Sequence, residues 1–429
     1  MKTNEKDTKQ GIVPALRFPE FHGSKGWNLR PLSDYLTEYR QKSDGMSKVH
    51  SVSLSKGIVN QIEYLGRSFS ADDTSHYKLV KPYDVVYTKS PTGDFPYGIV
   101  KQNFNLYNVI VSPLYGVFTP NNRYIGYIIH SIFESAIRLN NYLSTLVQKG
   151  AKNTIQISND TFISKEILLP DNDDEQQKIA DCLSSINALI KATENKIDEL
   201  KAHKKGLMQQ LFPVEGKTVP ALRFPEFQNA GEWTKGPLSR IGDVLQGYGF
   251  PEKYQGKSLG KYPFYKVSDI SKAVQTGCNF ISKAVNYIDD EELDILKIKT
   301  TPPGTTIFAR IGEAIRLNRR IVTTQECIID NNTVGVKAIP ENAIDLFVYY
   351  ILLQVDLIDF AGGVVPAVTK SAIENIPIYC PPTKSEQKKI VDCLSSVDNL
   401  IIAQTNRLEA LRNHKKGLMQ QLFPNIDEC

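Results

Sequence analysis

The chain has 429 residues, 41% of them hydrophobic and 23% charged, a length suited to two ordinary domains and a composition that excludes long disorder and collagen-like repeats. No run of about 18 apolar residues occurs, so no membrane partner is expected, and the polar start Met-Lys-Thr-Asn-Glu-Lys-Asp lacks a signal-like apolar core, which points to the cytoplasm. A net charge of +4 permits a polyanionic partner only where positive charge is local.

Residues 1–12 read as a loose polar tail. Residues 13–168 hold an arm and a first globule. The arm contains Val13–Phe21, Val-Pro-Ala-Leu-Arg-Phe-Pro-Glu-Phe, which recurs letter for letter at Val219–Phe227. Trp27 and Pro31-Leu32-Ser33 recur as Trp233 and Pro237-Leu238-Ser239 at the same offset. The paired prolines argue against a helix, so the arm is expected to be extended and to pack on its own globule or a neighbour. In the globule, Asp84–Thr88 and Tyr97–Lys101 are strand-like around a Pro-Thr-Gly-Asp turn. Residues 121–147 read as a helix, and Ile167–Pro170 as a short closing strand.

Residues 169–213 form the first long helical segment. Glu175–Phe212 contains no proline and carries two apolar rows at heptad spacing. One row is Leu183, Ile190, Ile197, Lys204 and Leu211; the other is Ile179, Ile186, Thr193, Leu200 and Leu207. Residues 214–379 repeat the arm and add a second globule, with a strand at Thr305–Ala309, a helix over Ile344–Phe360 and a closing strand at Ile376–Pro381. Residues 380–424 repeat the long helix, with rows Leu394, Ile401, Leu408, Lys415, Leu422 and Ile390, Val397, Gln404, Leu411, Leu418; residues 425–429 are a tail. Five heptads in each copy favour a coiled coil over a surface helix. The polar members Thr193, Gln404, Lys204 and Lys415 weaken the seam and can select its register. Gly206 and Gly417 should cost about 1 kcal/mol each in a helix interior, which suggests either close approach of another backbone or inheritance from a duplication.

The chain is therefore a tandem repeat of arm, globule and long helix. The segments 169–213 and 380–424 agree at 26 of 45 positions, whereas the globules hardly align. A frame kept in duplicate around divergent globules looks built to present two different recognition surfaces. The fold class expected is α+β: two similar mixed α/β globules separated by two long helices that pair as an antiparallel coiled coil about a pseudo-two-fold axis.

Few residues suggest chemistry. Gly256-Lys257-Ser258 resembles a P-loop end, but Pro251 stands where the first glycine belongs and no helix pattern follows. Thr301-Pro-Pro-Gly lacks the leading Asn or Asp of an amino-methyltransferase motif. The six cysteines form no CxxC pair, and the six histidines have no spaced partners, so no catalytic or metal site is expected.

The Glu-Gln-x-Lys-Ile-x-x-x-Leu helix starts at Glu175–Leu183 and Glu386–Leu394 carry a family resemblance. So do the Gly-Leu-Met-Gln-Gln-Leu-Phe-Pro ends, the two-globule layout and the run Thr-Lys-Ser-Ala-Ile-Glu-Asn-Ile-Pro-Ile at 369–378. Together they resemble the specificity subunit of type I restriction–modification enzymes along essentially the whole chain. The resemblance implies that each globule is a target recognition domain reading one half of a bipartite, asymmetric site in double-stranded DNA. It implies helices that set the spacing and dock two methyltransferase subunits, with restriction subunits joining that core. S-adenosylmethionine, ATP and Mg belong to those partners, and the chain itself needs no cofactor. A stand-alone two-module DNA-binding protein on a coiled-coil rod is the other reading.

Direct readout needs hydrogen-bonding side chains on a rigid element, with further cations on phosphates. The candidates in the first globule are Thr88, Lys89 and Ser90, in the loop Tyr87–Gly93 directly after a strand, together with Lys101, Lys152 and Asn153. In the second they are Arg310, Arg316, Asn318, Arg319 and Arg320, again directly after a strand, with Lys370. Glu313 could pair with Arg316 or Arg310, or accept from cytosine N4.

Overall fold

The computed structural model describes residues 11–68, 70, 72–149 and 155–424. They form two compact units, one built from residues up to 190 together with those from 410 onward, the other from 191–409. Each long helix is shared between the units.

In the first unit the strands are β1 (Leu29–Pro31), β2 (Leu36–Glu38), β3 (His50–Ser53), β4 (Gly57–Asn60), β5 (Lys78–Val80), β6 (Val85–Tyr87), β7 (Val100–Gln102), β8 (Val109–Val111), β9 (Gly116–Pro120), β10 (Gln148–Lys149), β11 (Ile155–Gln156) and β12 (Glu166–Leu168). The helices are α1 (Gln61–Leu65), α2 (Arg123–Phe133), α3 (Ala136–Ser144), α4 (Asn159–Ser164) and the long α5 (Asp173–Leu211). The central sheet is antiparallel in the order β2-β9-β6-β7. Its inner strand β6 is apolar on both faces, with Val85, Val86 and Tyr87 all buried, because helices and a second strand layer cover it. The helix expected over 121–147 is two helices. The chain breaks at Glu134–Ser135, where the Ser135 side chain caps α3 by accepting from the Arg138 N–H.

The second unit contains β13 (Thr234–Pro237), β14 (Gly242–Gln246), β15 (Tyr262–Tyr265), β16 (Phe280–Ile281), β17 (Asn286–Ile288), β18 (Thr306–Ala309), β19 (Arg320–Thr323), β20 (Ile328–Ile329), β21 (Thr333–Ala338) and β22 (Pro377–Cys380). Its helices are α6 (Val267–Gln275), α7 (Asp290–Leu296), α8 (Asp345–Gln354), α9 (Lys370–Glu374) and the long α10 (Lys384–Leu422). The main sheet runs β14-β21-β18-β19-β16. Its first four members repeat the order β2-β9-β6-β7, so globules that hardly align in sequence share one topology. The helix expected over 344–360 is α8 followed by a 3-10 turn at Leu357–Phe360, capped by Asp356.

The long helices pair antiparallel, a direction visible within each unit. In the first, Ile179 and Leu183 near the start of α5 share a core with Leu418 and Leu422 near the end of α10. In the second, Leu207 and Leu211 share one with Ile390 and Leu394, and Leu200 packs with Val397 and Ile401. Every seam position expected from the heptads, including Ile186, Ile190, Ile197, Leu408 and Leu411, is buried or half-buried. Gly206 and Gly417 answer to no close backbone: a Cβ at either would meet nothing within 4 Å.

The arms are not free extended pieces. Pro19–Phe21 and Pro225–Phe227 are single 3-10 turns, each begun by a proline, whose missing N–H and fixed φ suit a first helical position. Each arm bridges the start of one long helix and the end of the other. Arg17 makes a bidentate bond to Glu175 (Nε–Oε1 2.7 Å, Nη2–Oε2 2.8 Å), and the Leu16 N–H donates to the Gln421 carbonyl at 3.0 Å. In the second unit Arg223 holds Glu386 through two bonds of 2.8 Å, and the Leu222 N–H donates to the Gln210 carbonyl at 2.9 Å. The outer pairs repeat as well, Lys178–Glu20 at 2.9 Å and Lys389–Glu226 at 3.0 Å.

The inner pairs are almost fully buried, so removing one partner leaves an uncompensated charge, at a cost of roughly 3–5 kcal/mol. Arg17→Ala and Arg223→Ala should each lower stability by about that amount in urea unfolding, whereas Glu20→Ala, at the solvent-screened outer pair, should leave the unfolding midpoint nearly unchanged. Equal effects from the inner and outer positions would contradict this hierarchy.

Candidate nucleic-acid interface

The two loops singled out in the sequence occupy the same topological place. One joins β6 to β7, the other β18 to β19, and these are equivalent strand pairs of the two main sheets. Each loop is locally rigid. In the first, Lys89 adopts a left-handed conformation (φ 62°) against Gly98, where a Cβ would come within 2.6 Å of the Lys89 nitrogen. Thr92 and Phe95 bridge the loop, and the Tyr87 hydroxyl donates to the Tyr97 carbonyl at 2.7 Å. In the second, Gly312 (φ 79°) begins a 3-10 turn over Glu313–Leu317 that ends at Asn318 (φ 49°).

Several candidates are corrected to internal roles. Thr88 is buried and its hydroxyl accepts from the Ile99 N–H at 3.0 Å, which ties β6 to β7. Lys101 is buried and pairs with Glu134 at 3.4 Å; burial lowers its pKa, against the pull of that carboxylate. Arg320 is 2% exposed, and burial pushes its guanidinium down to about 10. It donates to the carbonyls of Asn318 at 2.8 Å and Val355 at 2.9 Å, and Asn318 donates to the same Val355 carbonyl at 3.0 Å. Arg320 and Asn318 thus brace the base of the loop.

The remaining candidates lie at the surface. Lys89 is half-buried, its pKa lowered by burial and then by Lys78, while Ser90 is exposed. Arg310 is half-buried and donates from Nε to the Asn331 carbonyl at 3.1 Å. Arg316 is exposed and pairs with Glu313 at 3.1 Å, which gives that carboxylate a structural partner. Arg319 is half-buried, with no hydrogen bond or ion pair among the described residues. Lys370, at the first position of α9, is exposed and pairs with Glu374 at 3.6 Å. Exposed pairs of this kind are worth little and can exchange a carboxylate for a phosphate. Lys152 and Asn153 lie outside the described residues.

Sequence reasoning missed the charge cluster around Glu134. The His130 Nδ1 accepts the Gln102 N–H at 3.3 Å, so the neutral ring carries its proton on Nε2, 3.3 Å from Glu134. Lys415, a break in the apolar seam, reaches Glu134 at 2.7 Å. Burial alone would raise the Glu134 carboxyl, but His130, Lys101 and Lys415 hold it below the usual carboxylate range. Burial holds His130 below its ordinary value.

The motifs rejected in the sequence are otherwise engaged. Lys257 pairs with Asp289 and Glu292, and Thr301 bridges Cys327 inside the second unit. Among the described residues no group of three His, Cys, Asp or Glu could hold a metal ion, and no helix is long and apolar enough to cross a membrane.

His130 binds its proton less readily folded than unfolded, so its contribution is complete above about pH 6.5 and declines as the pH falls below that value. Urea unfolding at stepped pH should register this decline, which His130→Gln should reduce. His50, also held low by burial, leaves a remainder, and the Glu134 contribution is lost only at lower pH. An unchanged slope in the variant would contradict the neutral buried ring. Separately, alanine at Arg316, Arg319 and Lys370 together should weaken DNA binding and flatten its salt dependence, whereas Lys101→Ala should act on stability. The same affinity and salt slope in the triple variant would move the interface elsewhere.

The model of the type I restriction modification DNA specificity domain matches residues 53–202 and 231–413. A curated protein of Methanocaldococcus jannaschii, named as a candidate type I restriction enzyme MjaX specificity subunit, is 23% identical over 443 residues, covering 98% of this chain and 96% of that protein. The crystal structure of a type I restriction-modification system S subunit from M. genitalium is similar with a TM-score of 0.60 at 12% identity, covering 97% of this chain and 100% of that one. A second chain, solved in work on complex assembly and conformational transition of the type I R-M system, has a TM-score of 0.51 at 16% identity and covers 93% and 98%. At such identities the structural likeness speaks for the fold.

Proposed function

The chain belongs to the type I restriction modification DNA specificity family, a non-catalytic, DNA-reading class, and on that premise we propose that its two globules read the two halves of a bipartite, asymmetric site in double-stranded DNA. The observation that carries this reading is the pair of topologically equivalent loops, β6–β7 and the arginine-rich β18–β19, on globules of different sequence held by twice-built arm clamps. Different loops on one scaffold suit different half-sites, and hence asymmetry. The surface cations Lys89, Arg310, Arg316, Arg319 and Lys370 would position phosphates and base edges.

Family membership implies assembly with methyltransferase and restriction subunits; the stoichiometry of two methyltransferases is our proposal. The helix ends that repeat letter for letter, His203–Pro213 and His414–Pro424, offer two equivalent faces and favour two copies of one partner. S-adenosylmethionine, ATP and Mg would then reside on those partners, with none held by this chain. Each long helix has 39 residues, about 58 Å at 1.5 Å per residue, and would act as the spacer that fixes the gap between half-sites.

Deleting one matched heptad from both helices tests the spacer directly. Each deletion removes about 10 Å of helix, so the gap in the modified site, mapped by methylation sequencing of cells carrying the full system, should shorten while both half-site sequences persist. An unchanged gap in an active complex would refute the spacer role. Failure of the intact chain to co-purify with its methyltransferase would favour a stand-alone DNA-binding protein.

A further inference from the structure

Beside the β18–β19 loop the chain carries an apolar feature that no contact among the described residues explains. Residues 362–367, Gly-Gly-Val-Val-Pro-Ala, form a tight hairpin closed by the Gly362–Ala367 backbone pair at 3.0 and 3.1 Å. Gly363 turns it with φ 88°, a conformation costly for any residue with a Cβ. The hairpin is fastened to the β18–β19 loop: the Gly312 N–H donates to the Pro366 carbonyl at 2.7 Å and the Val368 N–H to the Arg310 carbonyl at 2.9 Å. At its tip Val364 is 105% and Val365 62% exposed. Leu317, at the end of the neighbouring 3-10 turn, is 54% exposed.

Two β-branched side chains held out on a pinned hairpin lose little freedom on contact, because their χ1 angles are already restricted. Their area is far below the roughly 800 Å² per partner of a stable protein interface, which argues against a protein groove as the target. It suits a single methyl group. Three cations lie in the adjoining chain: Arg310, whose carbonyl accepts from Val368 just after the hairpin, Arg316 on the neighbouring turn, in an exposed pair with Glu313, and Lys370, three residues after Ala367, in an exposed pair with Glu374. Thymine is the base that presents a methyl group on the floor of a phosphate-lined groove.

We propose that Val364 and Val365 are specificity-determining residues of the second globule, reading the C5-methyl of a thymine in the major groove while the neighbouring cations engage phosphates. This rests on the chain being a DNA specificity subunit. Uracil differs from thymine at that position only by the missing methyl, so deoxyuridine isolates the contact.

The test uses the full chain in complex with its methyltransferase partners and duplexes of the mapped site, with each thymine replaced in turn by deoxyuridine. Replacement at one position should weaken binding by roughly threefold to tenfold, as expected for losing one buried methyl. The double variant Val364→Ser/Val365→Ser, altered at an exposed tip, should bind the thymine duplex more weakly by a similar factor and lose its sensitivity to that replacement. The proposal is overturned if no replacement weakens wild-type binding, if the variant keeps the same sensitivity, or if the half-site assigned to this globule contains no thymine. It is also overturned if the variant instead dissociates from the methyltransferase with DNA affinity intact, which would make the tip a protein contact. Absence of any sequence-specific binding by the wild-type complex would overturn the functional reading itself, an outcome distinct from specific binding that is indifferent to uracil.

Discussion

The structure depends on one kind of contact made twice: an arginine from a proline-flanked arm buried against the glutamate that opens a long helix. Two charges out of water are tolerated only with near-ideal geometry, which the bidentate Arg17–Glu175 and Arg223–Glu386 pairs supply. Glu175 and Glu386 also sit in first helical turns, where a negative charge meets the positive end of the helix dipole. The backbone bonds Leu16–Gln421 and Leu222–Gln210 tie each arm to the end of the opposite helix. Burial, charge and backbone geometry therefore constrain the same residues at once, which is a physical reason for the arm sequence to survive unchanged in both copies.

Elsewhere the copies solved shared problems differently. Lys204 and Lys415 place the same charge in the same break of the apolar seam, and each needs a counter-charge. Lys204 finds Asp398 on the facing helix at 2.6 Å, and Asp398 also accepts from the Tyr350 hydroxyl at 2.6 Å. The position matching Asp398 in the first helix is Asn187, which is uncharged and donates to the Tyr127 hydroxyl at 2.7 Å. Lys415 instead uses Glu134, at the end of α2. The lysine is shared, but its neutralisation was rebuilt within each unit. Such drift is affordable away from the arm clamps and gives each globule its own surface.

Much of this was legible in the sequence. Heptad rows and the absence of proline identified both long helices, because a seam that must stay buried over five heptads writes its period plainly. The strands at Val85–Tyr87 and Thr306–Ala309 were legible as β-branched and aromatic runs. The arm's role was not, since an arginine among prolines and phenylalanines carries no sign of its partner 158 residues away. The recurrence of Arg17 and Glu175 as Arg223 and Glu386 was the available clue. Likewise, residue type and place beside a strand single out Thr88, Lys101 and Arg320, and neither separates a side chain facing solvent from one facing the core. The strands β6, β7 and β19 beside or around them are only three or four residues long and buried on both faces, so alternation is no guide. The valine tip escaped because a Val-Val pair reads as core until the hairpin turns it outward.

The central claim is that sequence reading lies in the parts that failed to repeat and the frame in the parts that did. It is tested most directly by mapping methylated sites after the non-repeating part of the second globule, residues 240–379, is exchanged for the corresponding globule of a related chain that reads a different sequence. The account predicts that one half of the site changes to the donor's half, while the other half and the gap stay as they were. A complex that remains active but changes both halves, or alters the gap, would contradict it.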